Sequence, residues 1–196
     1  MNDERTLEYY NQNTDTFFQG TVEADMEYAR TRFLHFLEPK ACILDFGCGS
    51  GRDTKAFLDL GYSVEATDGS EELCVRASEY TGIPVKKLFF QDLDAKEQYD
   101  GIWACASILH LPKQELYDVF RKMIRALKEN GILYTSFKYG TFEGYRKERY
   151  FTDFTEQTLT EFLKPIKELT LLEHWISKDV RPERKEEKWL NIILQK

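Results

Sequence analysis

Apolar and polar positions alternate with two different periods along this chain. Short, nearly continuous apolar runs predict buried strands over residues 42–46, 62–68, 85–90, 99–105 and 132–137. Between these runs, apolar residues recur at every third or fourth position, which predicts amphipathic helices. The clearest stripe consists of Leu116, Val119, Phe120, Met123, Ile124 and Leu127, in a helix expected to end at Asn130-Gly131. Strands and helices therefore follow one another in regular order.

The two ends of the chain add helices before the first strand and strands after the fifth. Helical segments are predicted at about residues 3–18 and 23–37. Late strands at about 169–176 and 189–194 follow a short helix over 155–163. No helix-length pattern separates the late strands, so they are expected to form an antiparallel hairpin at one edge. The whole pattern predicts an α/β fold with a doubly wound, mostly parallel sheet and helices on both faces.

Glycines occupy three alternate positions after the first strand, at Gly47, Gly49 and Gly51. Glycine adopts positive φ without strain and leaves no Cβ in the way of a ligand or a neighbouring backbone. One glycine would serve a tight turn, whereas three favour a loop that lies against a ligand. Ser50 and Asp53 have the spacing of a capping box, which predicts that a helix begins directly after the loop.

The spacing of this loop excludes two phosphate-binding motifs. A P-loop requires Gly and Lys where Arg52 and Asp53 stand, and a dinucleotide-binding loop requires a third glycine at residue 52. Asp53 in the first helical turn would also repel a pyrophosphate. An acid at the end of the second strand, Asp68, instead suits the ribose hydroxyls of a nucleoside without a pyrophosphate. The same features disfavour an NAD-dependent reductase.

The run Asp45-x-Gly47-x-Gly49-x-Gly51, followed by Asp68 and then Asp92, resembles the class I S-adenosylmethionine-dependent methyltransferases. The resemblance is strongest over residues 43–137. It implies a Rossmann-like, seven-stranded sheet with an antiparallel edge strand, and S-adenosyl-L-methionine as the cofactor. Within this superfamily, the stretches FGCGSGRD, IWACASILHLP and SFKYG resemble tellurite-resistance-type and other small-molecule bacterial methyltransferases.

The resemblance also implies a set of cofactor contacts. Asp68 would bind the ribose diol, Asp92 the adenine amino group and Asp45 the methionine ammonium group. Arg52 would pair with the methionine carboxylate or only with the helix surface. The full expected set is Tyr10, Asp45, Gly47, Cys48, Gly49, Gly51, Arg52, Asp68, Gly69, Ser70, Asp92, Leu93, Ala104 and Cys105.

The sequence marks the site of the methyl acceptor less clearly than that of the cofactor. An in-line displacement from an activated sulfonium mainly requires alignment and exclusion of water, for which no fixed motif is needed. His110 is a candidate base or positioning residue, and packing at a helix start is the open alternative. Tyr139 and Tyr150 are further catalytic candidates, in an aromatic, glycine-punctuated segment that is predicted to form a lid.

Composition and charge narrow the classes of function. The chain has 196 residues, of which 42% are hydrophobic and 31% charged, as expected for a globular α/β protein. Its polar start and the lack of a long apolar run predict neither a signal peptide nor a membrane span, so we expect a cytoplasmic protein. The four cysteines lack metal-ligand spacing, and no metal site is predicted.

We expect one methyltransferase domain over residues 1–196, with a helical cap (1–38), a cofactor-binding core (39–138), and an acceptor-side lid and edge hairpin (139–196). A net charge of −7 argues against a broad nucleic-acid surface and favours a small-molecule acceptor. The expected assembly is a monomer or a homodimer. Two alternatives stay open: a tRNA- or RNA-modifying methyltransferase that uses the basic residues near 146–149 and 181–185, and a non-catalytic, cofactor-binding regulatory module.

Overall fold

Helices and strands alternate along most of the chain in this computed structural model, which describes residues 4–181 and 184–196. The helices are α1 Glu4–Gln12, α2 Thr14–Thr21, α3 Glu27–Leu34, α4 Arg52–Asp59, α5 Glu71–Thr81, α6 Lys113–Ala126 and α7 Glu156–Leu163. The strands are β1 Cys42–Phe46, β2 Ser63–Asp68, β3 Val85–Lys87, β4 Tyr99–Ala104, β5 Leu127–Lys138, β6 Glu143–Arg146, β7 Arg149–Thr152, β8 Thr170–Lys178 and β9 Lys188–Gln195. The expected start of the first helix, Asp3, lies outside the described residues.

The main sheet orders its seven strands β3-β2-β1-β4-β5-β9-β8. Strands β3, β2, β1, β4 and β5 pair in parallel, while β9 runs antiparallel to both β5 and β8. The predicted mostly parallel, seven-stranded sheet is confirmed, and the late strands form the expected antiparallel hairpin. In detail, the antiparallel strand β9 lies next to the edge, and β8 is the edge strand itself.

Helices cover both faces of the sheet, as predicted. On one face, α6 and α7 pack over a layer that includes Ile102 of β4. On the other face, α3 and α4 place Phe33 and Phe57 against Trp103, and the Trp103 ring stacks on Tyr134 with centroids 3.9 Å apart. Successive residues of β4 therefore serve opposite layers, as the period of a strand requires. No helix in the described part of the chain combines the length and apolarity needed to cross a bilayer.

The N-terminal segment folds as two helices rather than the single helix predicted over residues 3–18. Asn13 separates α1 from α2 with φ −115°. Its side-chain amide donates to the Tyr9 carbonyl at 2.8 Å, and the Thr14 hydroxyl donates to the Tyr10 carbonyl at 2.8 Å. Such side-chain bonds compete with a continuous helix. The break brings the rings of Tyr10 and Phe17 edge to face, with centroids 5.1 Å apart.

Two further boundaries differ from the sequence pattern. Helix α6 ends at Ala126, before the predicted stop at residue 130, because Leu127 already pairs with β4. Strand β3 ends at Lys87, and the apolar run that follows it forms a 3-10 turn over Phe90–Asp92. In both places tertiary pairing, rather than the apolar period, sets where the element ends.

The segment predicted as an aromatic lid loop contains a β-hairpin. Strands β6 and β7 pair antiparallel, with Tyr145 opposite Tyr150. Lys147 adopts φ 57° between the two strands, in the left-handed region. Gly144 and a high density of charged residues interrupt the apolar alternation here, so the pattern indicated a loop. The hairpin gives this segment a fixed shape beside α1.

Candidate active site

A cavity opens at the carboxyl ends of the central parallel strands, at the point where the strand order reverses between β1 and β4. Ligands of doubly wound sheets bind at this position. Helices α1 and α2 contribute Leu7, Tyr10 and Phe17, and β7 contributes Arg149 and Phe151. Ten of the expected site residues line the cavity: Tyr10, Asp45, Gly47, Cys48, Gly49, Arg52, Asp68, Gly69, Cys105 and His110.

The structure requires glycine at the three loop positions for different reasons. Gly47, with φ 82°, lies so close to Ser107 that an added Cβ would come 2.5 Å from the Ser107 Cβ. Gly49, with φ 56°, lines the cavity and directs its N–H at Asp68. Gly51, with φ 78°, lies outside the cavity lining, and an added Cβ would meet Thr81 of α5 at 2.7 Å. Gly47 and Gly49 both line the cavity, although close packing on Ser107 also requires the glycine at 47, while Gly51 allows α4 to pack on α5.

Helix α4 begins at Arg52, and no side chain caps its N-terminus. The capping box predicted from Ser50 and Asp53 is wrong, because the Asp53 carboxylate has other partners. It accepts from Arg52 Nη2 at 2.6 Å, from Arg30 Nη1 at 2.7 Å and from Trp103 Nε1 at 3.0 Å. Burial raises the pKa of Asp53, but Arg52 and Arg30 outweigh burial and hold that pKa below its ordinary value. Arg52 thus lines the cavity with a guanidinium that already pairs with a carboxylate.

Asp68 ends β2 with its carboxylate held by the neighbouring main chain. Oδ2 accepts from Gly49 N at 2.9 Å, and Oδ1 accepts from Ser70 N at 2.8 Å. Burial raises the pKa of Asp68, and backbone donors at Ser70, Gly49 and Gly69 offset part of that rise. Each oxygen keeps a further lone pair. The carboxylate is therefore placed to accept hydrogen bonds from hydroxyl groups of a ligand.

Apolar side chains share the cavity with Asp68. They come from α1, α5 and the segment after β3, and they are Leu7, Leu73, Leu88, Phe89 and Phe90. A nucleoside combines a planar base with apolar faces and a ribose with two neighbouring hydroxyls. An apolar wall beside a hydrogen-bond-accepting carboxylate matches both parts. The residues present therefore fit the adenosine portion of the expected cofactor.

Asp45 is the buried acid of β1, with 2% of its surface exposed. The Thr54 hydroxyl donates to its Oδ2 at 2.5 Å. Burial, reinforced by the charge of Asp53, raises the pKa of Asp45 to about 8. The carboxyl group is therefore largely protonated at neutral pH. A cationic group brought against it would favour its ionised form.

His110 and Tyr10 come from distant parts of the chain and meet in the cavity. His110 Nδ1 lies 2.6 Å from the Tyr150 carbonyl oxygen, which can only accept, so Nδ1 carries a proton. In the neutral ring Nε2 is then the acceptor, and the Tyr10 hydroxyl donates to it at 2.8 Å. A proton on Tyr10 can thus pass to His110, which makes the pair able to act as a base.

Arg149 of β7 completes the arrangement around Tyr10. Its Nη1 donates to the Tyr10 hydroxyl oxygen at 3.3 Å. Its guanidinium lies 4.5 Å from the centroid of the Tyr9 ring and 5.2 Å from that of Phe151. Burial raises the pKa of Tyr10, and Arg149 opposes that rise. Arg149 is therefore positioned to stabilise negative charge on the phenol oxygen.

A second polar region of the cavity lies beside β5 and the turn between β8 and β9. Asp179 accepts from Arg181 Nη2 at 2.7 Å and from Trp189 Nε1 at 3.0 Å. Lys138 pairs with Glu187, and its Nζ lies 4.4 Å from the centroid of the Trp189 ring. Burial lowers the pKa of Lys138 to about 8. The cavity therefore extends beyond the part that fits a nucleoside and offers polar contacts to a second ligand.

Five expected cofactor contacts are not part of the lining: Gly51, Ser70, Asp92, Leu93 and Ala104. Ser70 instead caps α5, where its hydroxyl accepts from Leu73 N at 3.2 Å. The side chain of Asp92 is exposed, and its neighbours Phe90 and Gln91 line the cavity. Leu93 and Ala104 are buried in the core layer under α6. Asp92 therefore lies next to the lining in sequence, and its contact with adenine stays a prediction.

Tyr139 and Tyr150 also lie outside the lining. The Tyr139 hydroxyl donates to Glu156 at 2.9 Å, at the start of α7. The Tyr150 hydroxyl donates to Glu143 at 3.3 Å across the hairpin. The Tyr150 carbonyl accepts from His110, which lines the cavity. Both hydroxyls bond carboxylates outside the lining, and a catalytic role for either side chain stays a prediction.

Sequence reasoning missed several residues of the lining, among them Phe89, Phe90, Ser136, Lys138, Asp179, Trp189 and Asn191. Phe89 and Phe90 were assigned to a buried strand because the apolar run continues past Lys87. Ser136 and Asn191 are directly opposed in β5 and β9. Each is a polar residue inside a mostly apolar late strand, and this pattern could have identified both as residues of the cavity.

Comparisons with known proteins agree with this geometry. Residues 43–131 match the methyltransferase domain family. An uncharacterized methyltransferase of Staphylococcus carnosus is 25% identical over 167 residues, which cover 78% of this chain and 81% of that protein. The human N-terminal Xaa-Pro-Lys N-methyltransferase 1 is 36% identical over 101 residues, which cover 47% of this chain and 45% of that protein. The chain thus spans less than half the length of that relative.

Solved structures share the fold over most of the chain. The Burkholderia thailandensis 1,6-didemethyltoxoflavin-N1-methyltransferase, with bound 1,6-didemethyltoxoflavin and S-adenosylhomocysteine, aligns with a TM-score of 0.77 at 22% identity, covering 97% of this chain and 84% of that one. A methyltransferase of Methanosarcina mazei aligns with a TM-score of 0.73 at 19% identity, covering 83% and 95%. The match to a methyltransferase domain over residues 43–131 and the fold shared with these methyltransferase structures agree with the glycine loop and the position of Asp68.

Proposed function

We propose that this methyltransferase transfers the methyl group of S-adenosylmethionine to a small-molecule acceptor enclosed between the sheet and a roof formed by α1 and the β6–β7 hairpin. The contact between the two parts of the roof carries the proposal. Tyr150 N donates to Thr6 Oγ1 at 3.0 Å, and the Arg5 guanidinium lies 3.6 Å from the centroid of the Tyr145 ring. A roof joined in this way leaves an enclosed space, which suits a molecule that the protein can surround.

The chain's own residues supply alignment and a dry environment. S-adenosylmethionine, when bound, provides a methyl group already activated by its sulfonium. Tyr10, Phe17 and Phe151 present aromatic rings to the cavity, and such a lining sheds water from the reacting groups. Holding the acceptor in line with the methyl then accounts for most of the work that the protein must do.

An acceptor that carries a proton needs a base, and the Tyr10–His110 pair fits that role. Both ring nitrogens of His110 are engaged, one with the Tyr150 carbonyl and one with the Tyr10 hydroxyl. The acceptor's proton therefore goes to the Tyr10 oxygen while the phenol proton moves to His110 Nε2. The bound cofactor would supply the methyl group: the acceptor's bond to the methyl carbon would form as the carbon–sulfur bond breaks, and S-adenosylhomocysteine would leave. Arg149 stabilises the charge that develops on the phenol oxygen.

The names of the similar proteins suggest two different classes of acceptor for this chain, a small molecule and a peptide. The Burkholderia thailandensis enzyme holds a small molecule beside S-adenosylhomocysteine and aligns over nearly the whole of this chain. The N-terminal Xaa-Pro-Lys N-methyltransferases match about half of this chain, so their peptide acceptor is the alternative that a test must separate. The resemblance to tellurite-resistance-type methyltransferases stays a hypothesis about the subgroup, and it does not specify the acceptor.

The test is release of S-adenosylhomocysteine from S-adenosylmethionine with three classes of acceptor. They are a fractionated pool of cell metabolites, total tRNA, and a peptide that begins with Ala-Pro-Lys. We expect acceptor-dependent release with at least one metabolite fraction. The Asp68→Ala variant is the control, since it lacks the proposed ribose contact. Methylation of tRNA or of the peptide alone, with no active metabolite fraction, contradicts the proposal.

A further inference from the structure

The cavity is basic although the chain as a whole is acidic. The chain has a net charge of −7. Among the described residues that line the cavity, six are basic: Arg52, Lys138, Arg149, Lys178, Arg181 and Arg184. Four are acidic: Asp45, Asp53, Asp68 and Asp179. Because burial raises the pKa of Asp45 to about 8, that acid contributes little negative charge at neutral pH. The lining therefore has an excess of positive charge.

Much of this charge is already compensated within the protein. Arg52 pairs with Asp53, and Arg181 pairs with Asp179. Lys138 pairs with Glu187. These three cations are held in ion pairs that define the shape of the cavity, so they have less capacity to bind a further anion.

Arg149 differs from these three cations. Its contacts among the described residues are the Tyr10 hydroxyl and the faces of aromatic rings, those of Tyr9, Tyr10 and Phe151. None of these groups is a carboxylate. The rings shield part of the half-buried guanidinium from water, and an ion pair is stronger where water is partly excluded. A guanidinium also offers two parallel donors, a geometry that matches a carboxylate.

We propose that the methyl acceptor carries a carboxylate and that Arg149 binds it, which places the acceptor beside Tyr10 and His110. The inference rests on the proposed function and adds the substrate class. It also balances the charges of the filled cavity. S-adenosylmethionine carries a net positive charge, which Asp45 offsets when it ionises, and the acceptor carboxylate offsets the charge of Arg149.

The main competing explanation is that Arg149 binds the carboxylate of the cofactor itself. S-adenosylhomocysteine carries that same carboxylate, so its affinity reports on this alternative. If Arg149 binds only the acceptor, the Arg149→Met variant should bind S-adenosylhomocysteine with an affinity within a few-fold of that of the unchanged protein. Cofactor affinity and acceptor affinity therefore separate the two explanations.

The experiment measures binding of matched acids and amides to the protein saturated with S-adenosylhomocysteine. The pairs are 4-hydroxybenzoate with 4-hydroxybenzamide, anthranilate with anthranilamide, and lactate with lactamide. We compare the unchanged protein with Arg149→Met, Arg149→Lys and Lys147→Met. Lys147 is the matched control, because it is an exposed cation of the same hairpin that lies outside the cavity lining.

We expect at least one acid to bind the unchanged protein about tenfold or more tightly than its amide, since charge-assisted bonds are the stronger kind. Arg149→Met abolishes this preference, Arg149→Lys keeps part of it, and Lys147→Met keeps all of it. Absence of any acid preference in the unchanged protein overturns the inference. So does an equal loss of S-adenosylhomocysteine affinity in Arg149→Met. Acid binding without methyl transfer to any acceptor would instead count against the proposed function.

Discussion

The hydroxyl of Tyr10 lies 2.8 Å from Nε2 of His110, although the two residues are 100 positions apart in the chain. The bond joins helix α1 to the segment after β4. It also fixes the direction of proton transfer, because His110 Nδ1 already donates to the Tyr150 carbonyl. The phenol is therefore the part of the pair that a ligand can use.

The first prediction concerns His110. We expect His110→Ala to lower the rate of methyl transfer by about 100-fold or more, since it removes the group that takes the proton. Affinity for S-adenosylmethionine should stay within a few-fold. Single-turnover rates and calorimetry measure the two quantities. An equal loss of both would mean that His110 acts through packing alone.

The second prediction concerns Tyr10. Tyr10→Phe keeps the ring against Phe17 but removes the hydroxyl that links the acceptor to His110. We expect a rate loss close to that of His110→Ala, and little further loss in the double variant, because the two groups act as one unit. Tyr139→Phe is the matched control, since its hydroxyl bonds Glu156 outside the cavity. Losses that simply add in the double variant would refute the shared role.

The third prediction compares two acids that the resemblance placed at the cofactor. Asp68→Ala should weaken binding of S-adenosylmethionine by on the order of 10- to 1000-fold, because hydrogen bonds to a charged group contribute about 1.5–3 kcal/mol each. Asp92→Ala should change it less than about threefold, because the Asp92 side chain is exposed and lies outside the lining. Calorimetry on both variants decides. A large effect of Asp92→Ala would restore its expected adenine contact.

The fourth prediction follows from the protonated state of Asp45. Its pKa is raised to about 8 in the free protein, and the ammonium group of the cofactor should lower it. Binding then releases up to one proton, so affinity rises with pH by up to about tenfold per unit below pH 8 and levels off above it. Calorimetry in buffers of different ionisation enthalpy measures the released proton. Asp45→Asn should abolish the release.

The raised pKa of Asp45 also makes the stability of the fold depend on pH. The folded-state pKa of Asp45 lies above the value of an unfolded chain, about 3.9. The folded state therefore binds the extra proton, and its contribution to stability is present at low pH and lost as pH rises from about 4 to about 8. Asp45→Asn should flatten this part of the profile of melting temperature against pH. An unchanged profile would show that Asp45 is ionised in the free protein.

The fifth prediction separates packing from ligand binding in the glycine loop. Gly51→Ala should destabilise the fold by about 1–2 kcal/mol, because a side chain at positive φ is strained, and its Cβ would also press on Thr81. Adding Thr81→Ser to the Gly51→Ala variant removes the methyl group that crowds the new Cβ, and the double variant should recover part of the lost stability. Gly20→Ala is the control, since nothing lies within 4 Å of its Cβ position and α2 favours Ala. Chemical denaturation measures the free energy of unfolding of the unchanged protein, Gly51→Ala, the double variant and Gly20→Ala. A double variant that is no more stable than Gly51→Ala would refute the packing role.

The sequence correctly places Gly49 and Asp68 together at the cavity because the elements that carry them are neighbours in sequence. Gly49 and Asp68 are 19 residues apart, and the spacing between a strand-end loop and the next strand end brings them to a hydrogen bond of 2.9 Å. Strand order and handedness allow few other arrangements. The period of apolar residues therefore carries enough information to place Asp68.

The acceptor half escapes prediction because its contacts are distant in sequence. The Thr6–Tyr150 and Tyr10–His110 bonds span 144 and 100 residues. Nothing in the local pattern distinguishes Tyr10, which bonds His110 in the cavity, from Tyr139, which bonds Glu156 outside it. The sequence predicts a loop in place of the hairpin for a related reason: pairing of β6 with β7, rather than apolar alternation, makes those residues strands.

The Thr6–Tyr150 bond joins two segments that both lie outside residues 43–131, the stretch matched by the methyltransferase domain family. The residues that fit the nucleoside, by contrast, are largely supplied within that stretch. Substitutions in the hairpin, and in α1 at positions other than Leu7 and Tyr10, would therefore change the roof over the acceptor and leave the proposed nucleoside contacts in place. For engineering, exchange of the two roof segments as a matched pair is the route to a new acceptor, because each segment alone would meet a partner it does not fit.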